Sequence, residues 1–274
     1  MKLIQLTDIH LTTPGQTIGG RDPNANFDRA LSHALTNHPD TEAIIITGDL
    51  SDWGERDDYM RLKAKLNDVD IPVHLCIGNH DDRPTFVDVF PDLTDQNGFV
   101  QKTVALSEGT AILLDTWGPE THAGHFCETR AAWLDARLSE GDGPFWLFLH
   151  HNPVPTHLGP MDQIMLLDAD RFGGVVARHR GKIRHIFFGH CHMPLNGSLH
   201  GVPVSAPRGT NHAGWANFPE ATMLSASDLP EAYAVILTSG ASVTVHMVEY
   251  GYTGEIRVEG TPDYSAWTKE TMAR

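Results

Sequence analysis

Cysteine is scarce and scattered. Cys76, Cys127 and Cys191 are the only three, an odd number without CxxC spacing, which excludes both a disulfide framework and a thiolate zinc site and points to a reducing compartment. Long apolar runs are also missing, since none approaches the roughly 20 residues that cross a bilayer. The N-terminus MKLIQLTDIH has polar and charged residues and no small-residue cleavage site, so it reads as a first strand and not as a leader. A cytoplasmic protein is expected. Basic charge is short as well: 20 Lys and Arg against 35 Asp and Glu give a net charge of −15. That balance disfavours nonspecific binding to nucleic acid or an anionic membrane and requires a local positive centre for any small anion.

What is present is ordinary in bulk and unusual in one residue. The 274 residues are 41% hydrophobic and 20% charged, with a mean hydropathy of −0.25, which suits one large globular domain and excludes collagen-like, coiled-coil and disordered chains. Histidine is plentiful at 17 residues, and imidazole is the commonest neutral metal ligand. Short apolar runs of strand length recur as LIQL, AIIIT, VHLCI, AILLD, FWLFL and HIFFG. Helical patterns lie between several of them: NFDRALSHALTNH after Asn24 as N-cap, DDYMRLKAKLND and TRAAWLDARLSE. Strand and helix alternate, so the class is α/β. Near the end, YAVILT and SVTVHMVEY flank Ser239-Gly240-Ala241 as a hairpin, expected to build a mixed or antiparallel second sheet. The less regular stretches 158–170 and 211–230 are expected to form a cap over a site. The chain is read as a single domain, 1–274, with a core at 1–200 and substrate-side and C-terminal elements at 201–274.

Five apolar runs end in groups that can hold a metal. LIQLT is followed by Asp8-Ile9-His10, AIIIT by Gly48-Asp49, VHLCI by Gly78-Asn79-His80-Asp81, FWLFL by His150-His151, and HIFF by Gly189-His190-Cys191-His192. In open α/β sheets such residues gather beyond the carboxyl ends of the strands. Side chains two apart in extended chain share a face, so Asp8 with His10, and His190 with His192, are expected to point to one place. Gly48, Gly78 and Gly189 each precede a ligand and permit a sharp turn or a close approach. Asp8, His10, Asp49, Asn79, His150, His190 and His192 make seven donors, more than one ion needs. Two ions sharing a carboxylate, with Asp49 as the bridge, account for them and suit displacement at phosphorus.

These blocks, in this order, resemble the D-x-H, G-D, G-N-H-D/E, H and G-H-x-H motifs of the calcineurin-like dinuclear metallophosphoesterases, and span residues 8–192. The resemblance implies a four-layer α/β/β/α sandwich with two mixed sheets and a small C-terminal cap or hairpin. It places Asp8, His10 and His192 on one metal, Asn79, His150 and His190 on the other, and Asp49 on both. It further implies attack by a metal-bound hydroxide, His80 as the catalytic residue stabilising the transition state or protonating the leaving group, and Asp81 orienting His80. A closer resemblance is to bacterial glycerophosphodiesterases and class III cyclic-nucleotide phosphodiesterases. It rests on His150-His151-Asn152-Pro153-Val154-Pro155, Met161-Asp162 and Ser205-Ala206-Pro207-Arg208-Gly209-Thr210-Asn211-His212, with Asn152 departing from the usual proline. By this likeness His212 and Arg208 lie on the substrate side. Arg208 alone is equally well read as pairing with an acidic neighbour.

The expected function is therefore metal-dependent hydrolysis of a small phosphodiester of glycerophosphodiester, cyclic nucleotide or phospholipid headgroup type. The metals are drawn from Fe, Zn, Mn or Co, and a homo-oligomer is implied by resemblance. The rivals are a phosphomonoesterase of the same fold and a catalytically silent scaffold. Singly, a His or Asp after a strand is more often a turn residue than a ligand, and it is the joint pattern that reverses this. His151 is left out of the ligand set because neighbours on a strand face opposite ways, Cys191 reads as a small core residue, Trp53 and Trp117 as core in preference to pocket lining, and His122 and His125 as candidates for the pocket wall.

Overall fold

The computed structural model describes residues 1–220 and 222–257. The end of the expected C-terminal part, 258–274, lies outside the described residues. The first half alternates strand and helix: β1 (Lys2–Leu6), α1 (Pro23–Asn37), β2 (Ala43–Thr47), α2 (Arg56–Leu66), β3 (Val73–Cys76) and α3 (Arg83–Val89). Next come β4 (Lys102–Leu106), β5 (Gly109–Leu113), α4 (Glu128–Ser139), β6 (Phe145–Phe148), α5 (Gly159–Asp162), α6 (Ala169–His179) and β7 (Ile183–Phe187). The remainder is strand: β8 (Leu195–Leu199), β9 (Val202–Ala206), the short β10 (Ala213–Gly214) and β11 (Ala226–Ser227), then β12 (Tyr233–Ser239) and β13 (Ser242–Val248).

Two mixed sheets result, ordered β13-β12-β1-β2-β3 and β4-β5-β6-β7-β9-β8. Alternation along the strands sets their packing. On β1, Ile4 and Leu6 face Phe27, Ala30 and Ala34 of α1 and join Tyr59 and Leu62 of α2 and Phe86 of α3 in one apolar layer. Leu3, one residue out of phase, packs with Ile45, Cys76, Leu113, Trp146, Phe148 and Phe187 between the sheets. On the far side Leu147 and Ile186 meet Leu134 and Leu138 of α4 and Phe172 and Val176 of α6. The order of layers is helix, sheet, sheet, helix.

Two details differ from the sequence reading. Helix α1 is capped by Asp22, whose carboxylate accepts from Ala25 N at 3.1 Å, with Pro23 pre-set for the first turn, so Asn24 is already inside the helix. The C-terminal hairpin extends the first sheet, because β12 pairs antiparallel with β1 (Lys2↔Leu237). The second sheet is built from β4 to β9 instead. Local pattern identifies a hairpin, but the free edge of β1 decides where it docks.

Phe148 and Phe187 stack between the sheets with centroids 4.9 Å apart, and both are fully buried. Phe148→Ala is expected to cost about 3–5 kcal/mol in urea unfolding, with α-helical signal retained in the folded baseline.

Candidate metal centre

The parallel strands β1, β2 and β3 of one sheet and β6 and β7 of the other deliver their following loops to one seam. Backbone bonds sew the loops together: Asp8 N to Gly48 O at 3.1 Å, His10 N to Asp49 O at 2.8 Å, and Gly189 N to His150 O at 2.9 Å. His190 N donates across the seam to Asp8 Oδ1 at 3.1 Å. The loops are not extended, as the spacing argument supposed. Asp8, His10, Asp49, His190 and His192 all have φ between 46° and 68°, the left-handed region that non-glycine residues avoid. They are five of the eight such non-glycine residues among those described, and strain of this kind collects where function requires it. Close approach also dictates the glycines. A Cβ on Gly48, itself at φ 96°, would sit 2.5 Å from His150 Nδ1, and one on Gly78 would sit 2.3 Å from Asp49 Oδ1.

The side chains converge on Asp49. Its Oδ2 lies 3.6 Å from His10 Nε2 and its Oδ1 lies 3.3 Å from His150 Nε2. On the first side His10 Nε2 is 3.3 Å from His192 Nε2, which is 3.5 Å from Asp8 Oδ1. On the second side His150 Nε2 is 3.0 Å from Asn79 Oδ1, with the His190 ring 5.1 Å away. Two groups thus flank one carboxylate: Asp8, His10, Asp49 and His192 have donor atoms within 4.8 Å of one another, as do His150, His190 and His151.

Three observations show that these donors suit metal cations. Asp8 Oδ2 and His190 Nε2 are buried without any hydrogen-bond partner, which is costly for polar atoms meant to stay alone. The imidazoles are also pre-oriented: His10 Nδ1 donates to Asp52 Oδ1 at 3.0 Å, His150 Nδ1 to Thr47 O at 2.8 Å and His192 Nδ1 to His212 O at 3.1 Å. Each leaves Nε2 aimed inward, the arrangement by which outer partners orient metal-binding histidines. Finally, burial holds His190 and His192 well below the usual histidine range, to about 3 for His192, so both are neutral as ligation requires. His10 and His150 are the exceptions. Against the effect of burial, the hydrogen bond to Asp52 raises His10 and Asp49 pushes His150 up to about 9, the Nε2 proton of His150 lying towards Asp49 and Asn79. Asp49 is held well below the carboxylate range, its own burial outweighed by the charges of His150 and His80.

Other sequence-predicted residues fall into two groups. His80 is at the centre: its backbone N donates to Asp49 Oδ1 at 2.9 Å, its Nδ1 donates to Asp52 O at 2.9 Å, and its ring is 4.7 Å from that of His10. His212 lines the same cavity, its ring 4.1 Å from His192, and burial lowers it to about 2. His122 lines the cavity too, whereas His125 faces Asp168 at 3.6 Å. Arg208 is turned away from substrate: it is 5% exposed and donates to Pro230 O at 2.6 Å and Glu249 Oε1 at 3.0 Å. Its carboxylate partner sits just beyond β13, the acidic neighbour that the sequence reading held equal to a substrate contact. Asp81 accepts from the backbone N of Gly78, Leu50 and Ser51 and from Tyr59 Oη, so it ties two ligand loops together where orientation of His80 was expected. Trp53 is 73% exposed, 6.3 Å from the His80 ring, and not in the core. Trp117 is packed in the apolar layer of the first sheet.

One residue escaped the sequence reading and another was set aside by it. Asp52 holds His10 and stands 3.7 Å from His80 Nδ1; its place three residues after Asp49 is a signal only once the turn is known. His151, fully buried, bonds Thr116 Oγ1 through Nδ1 at 2.8 Å and leaves Nε2 without a partner beside His190.

The arrangement has known counterparts. The family model of calcineurin-like phosphoesterases matches residues 1–194. The chain belongs to that family. It is similar to a probable cyclic nucleotide phosphodiesterase of Rhodopseudomonas palustris, 35% identical over 261 residues that cover 93% of this chain and 95% of the relative. It is also similar to a glycerophosphodiester phosphodiesterase of Enterobacter lignolyticus, 30% identical over 70% of this chain and 71% of the relative. Among solved structures, a dimetal phosphatase from Danio rerio superposes with a TM-score of 0.66 at 16% identity over 91% of this chain and 98% of that one, a likeness of fold. In this calcineurin-like phosphoesterase the residues matched by the family model include every proposed ligand, His192 being the last.

Asp52→Ala removes the acceptor that orients His10. An affinity for Mn about 10–100-fold weaker is expected by isothermal titration, and unchanged affinity would show that His10 needs no such support. Asp49→Ala is expected to remove most of the rise in Tm that Mn gives the wild-type chain, because both groups of donors lose their shared oxygen ligand.

Proposed function

We propose that this protein is a phosphodiesterase that hydrolyses small phosphodiesters with two metal ions. Asp8, His10 and His192 would hold one ion, Asn79, His150 and His190 the other, and Asp49 both. Cations in these places supply positive charge for the phosphoryl oxygens and make a water acidic enough to attack at neutral pH. The mixed oxygen and imidazole donor set, without thiolate, suits Fe, Zn, Mn or Co.

One observation favours a diester over a monoester or a polyanion. The cavity over the centre, about 540 Å³, is walled by His10, Asp49, Asp52, His80 and the cap residues, and among the described residues none that line it is Lys or Arg. A diester carries one negative charge, whereas a monoester is largely dianionic at neutral pH and nucleic acid needs a basic track. The volume lies within the usual range for small-molecule sites, about 300–1,000 Å³. Cyclic nucleotides and glycerophosphodiesters, the substrates named for the relatives, are the classes proposed here.

The chain's own groups divide the remaining work. His80 has Nδ1–H committed to Asp52 O, so Nε2 is the nitrogen that carries a proton to the leaving oxygen. The ring that carries this proton beside Nδ1–H is the cation, which Asp52 Oδ1 stabilises from 3.7 Å, and it is left neutral once the proton has passed to the leaving oxygen. Leu158, Met161 and Ile164 from one cap segment and Trp215, Met223 and Leu224 from the other wall the cavity and limit water around the ester. The exposed Trp215, Phe218, Met223 and Leu224 favour a homo-oligomer, and three free cysteines favour a reducing, cytoplasmic location.

Chelated protein reloaded with Mn, Zn, Fe or Co is expected to hydrolyse bis(p-nitrophenyl) phosphate with kcat/KM at least about tenfold above p-nitrophenyl phosphate, and only with metal present. Preference for the monoester, or turnover without metal, would overturn the reading. His80→Ala is expected to lower kcat by about 10²–10⁴ at unchanged metal content by elemental analysis; loss of metal would make His80 a ligand.

A further inference from the structure

His122 is used by nothing derived so far, yet it stands over the centre. It lies in the loop between β5 and α4, is exposed, and lines the cavity with its ring 5.2 Å from that of His80. Its position is fixed on both sides. Ala123 N donates to Thr121 Oγ1 at 3.0 Å, while Gly124 N donates to Met165 O at 3.0 Å and Leu167 N to Gly124 O at 2.9 Å, binding the loop to the cap.

Its hydrogen bonding assigns its protons. Asn79 Oδ1 is 3.0 Å from His150 Nε2, and Asn79 Nδ2 is 3.0 Å from His122 Nδ1. The His150 side needs the amide oxygen, whether a proton or a cation lies between them, so the amide NH₂ must face His122. An NH₂ group only donates. His122 Nδ1 is therefore the acceptor, and the hydrogen of the neutral ring sits on Nε2, opposite in tautomer to His80.

Resting on the phosphodiesterase reading, we propose that His122 is a substrate-contacting residue that does two things: through Nδ1 it locks the Asn79 amide with its oxygen towards the metal position, and through Nε2–H it donates to an oxygen of the bound diester. In a cavity without Lys or Arg among its described lining residues, a neutral donor of this kind binds a monoanionic ester without favouring a dianion.

Two substitutions separate the halves. His122→Asn places an amide oxygen near the Nδ1 position and keeps the lock but loses the far donor; His122→Gln reaches the Nε2 position and keeps the donor but loses the lock. With bis(p-nitrophenyl) phosphate and saturating Mn, His122→Asn is expected to lower kcat/KM about tenfold or more, chiefly through KM, with Mn affinity by equilibrium dialysis within about threefold of wild type. His122→Gln is expected to show the reverse weighting, with Mn affinity about tenfold weaker and, at saturating Mn, a smaller fall in kcat/KM than His122→Asn. Long-range ¹⁵N–¹H spectra of the metal-free wild type are expected to show the His122 hydrogen on Nε2. Wild-type values in both variants, the opposite pairing of losses, or a hydrogen on Nδ1 would overturn the proposal. A wild-type enzyme that turns over no diester would sink the phosphodiesterase reading and the substrate contact with it, while dialysis and the spectrum still decide the lock.

Discussion

Asp8, His10, Asp49, His150 and His190 are almost fully buried at the meeting of two sheets, and buried charge must be matched or it drives the group to neutrality. Protons match part of it. Asp49 keeps its charge because His150 keeps two hydrogens, and the second of these points at Asp49 and Asn79, the direction a cation would take. Oδ2 of Asp8, a carboxyl pushed upward by burial, and His190 Nε2 have no hydrogen-bond partner. These are the atoms a cation would satisfy, and binding there would be coupled to proton release and to stability.

Holding this arrangement requires a rigid surround, since five of its residues sit in left-handed backbone conformations. Much of the support lies one layer out. Asp81 gathers backbone N–H groups from two ligand loops, and its own carbonyl accepts from Trp117 Nε1 at 2.5 Å. Arg83 clasps the fully buried Asp115 through Nε and Nη2, both at 2.8 Å, and also bonds Trp117 O. Arg130 bonds Asp115 from α4. The chemistry of the seam is thereby tied to the helical layers on both sides.

What could be read from sequence divides along the range of the interactions. The strand ends were legible because apolar runs and the residues just after them are neighbours in sequence, and the joint order of Asp8, Asp49, Asn79, His150 and His190 carries the convergence. The reason first given for the Asp8–His10 and His190–His192 pairs was not the physical one: the pairs meet through left-handed turns that hydropathy does not encode. The partner of Arg208 was left open between substrate and an acidic neighbour, Asp52 was missed and His151 was set aside for a common cause. Each is defined by a contact with a distant element, Glu249, His10 and Thr116 respectively, and composition around the residue carries no trace of it. The docking of β12 on β1 belongs to the same class, a pairing between opposite ends of the chain.

Metal stoichiometry tests the central claim most directly. Wild-type protein stripped with chelator, dialysed against Mn or Zn and freed of excess should contain two ions per chain by elemental analysis, with protons released as they bind. One ion per chain, or none, in protein whose circular dichroism shows it folded would contradict the shared role assigned to Asp49 and with it the two-metal account of this site.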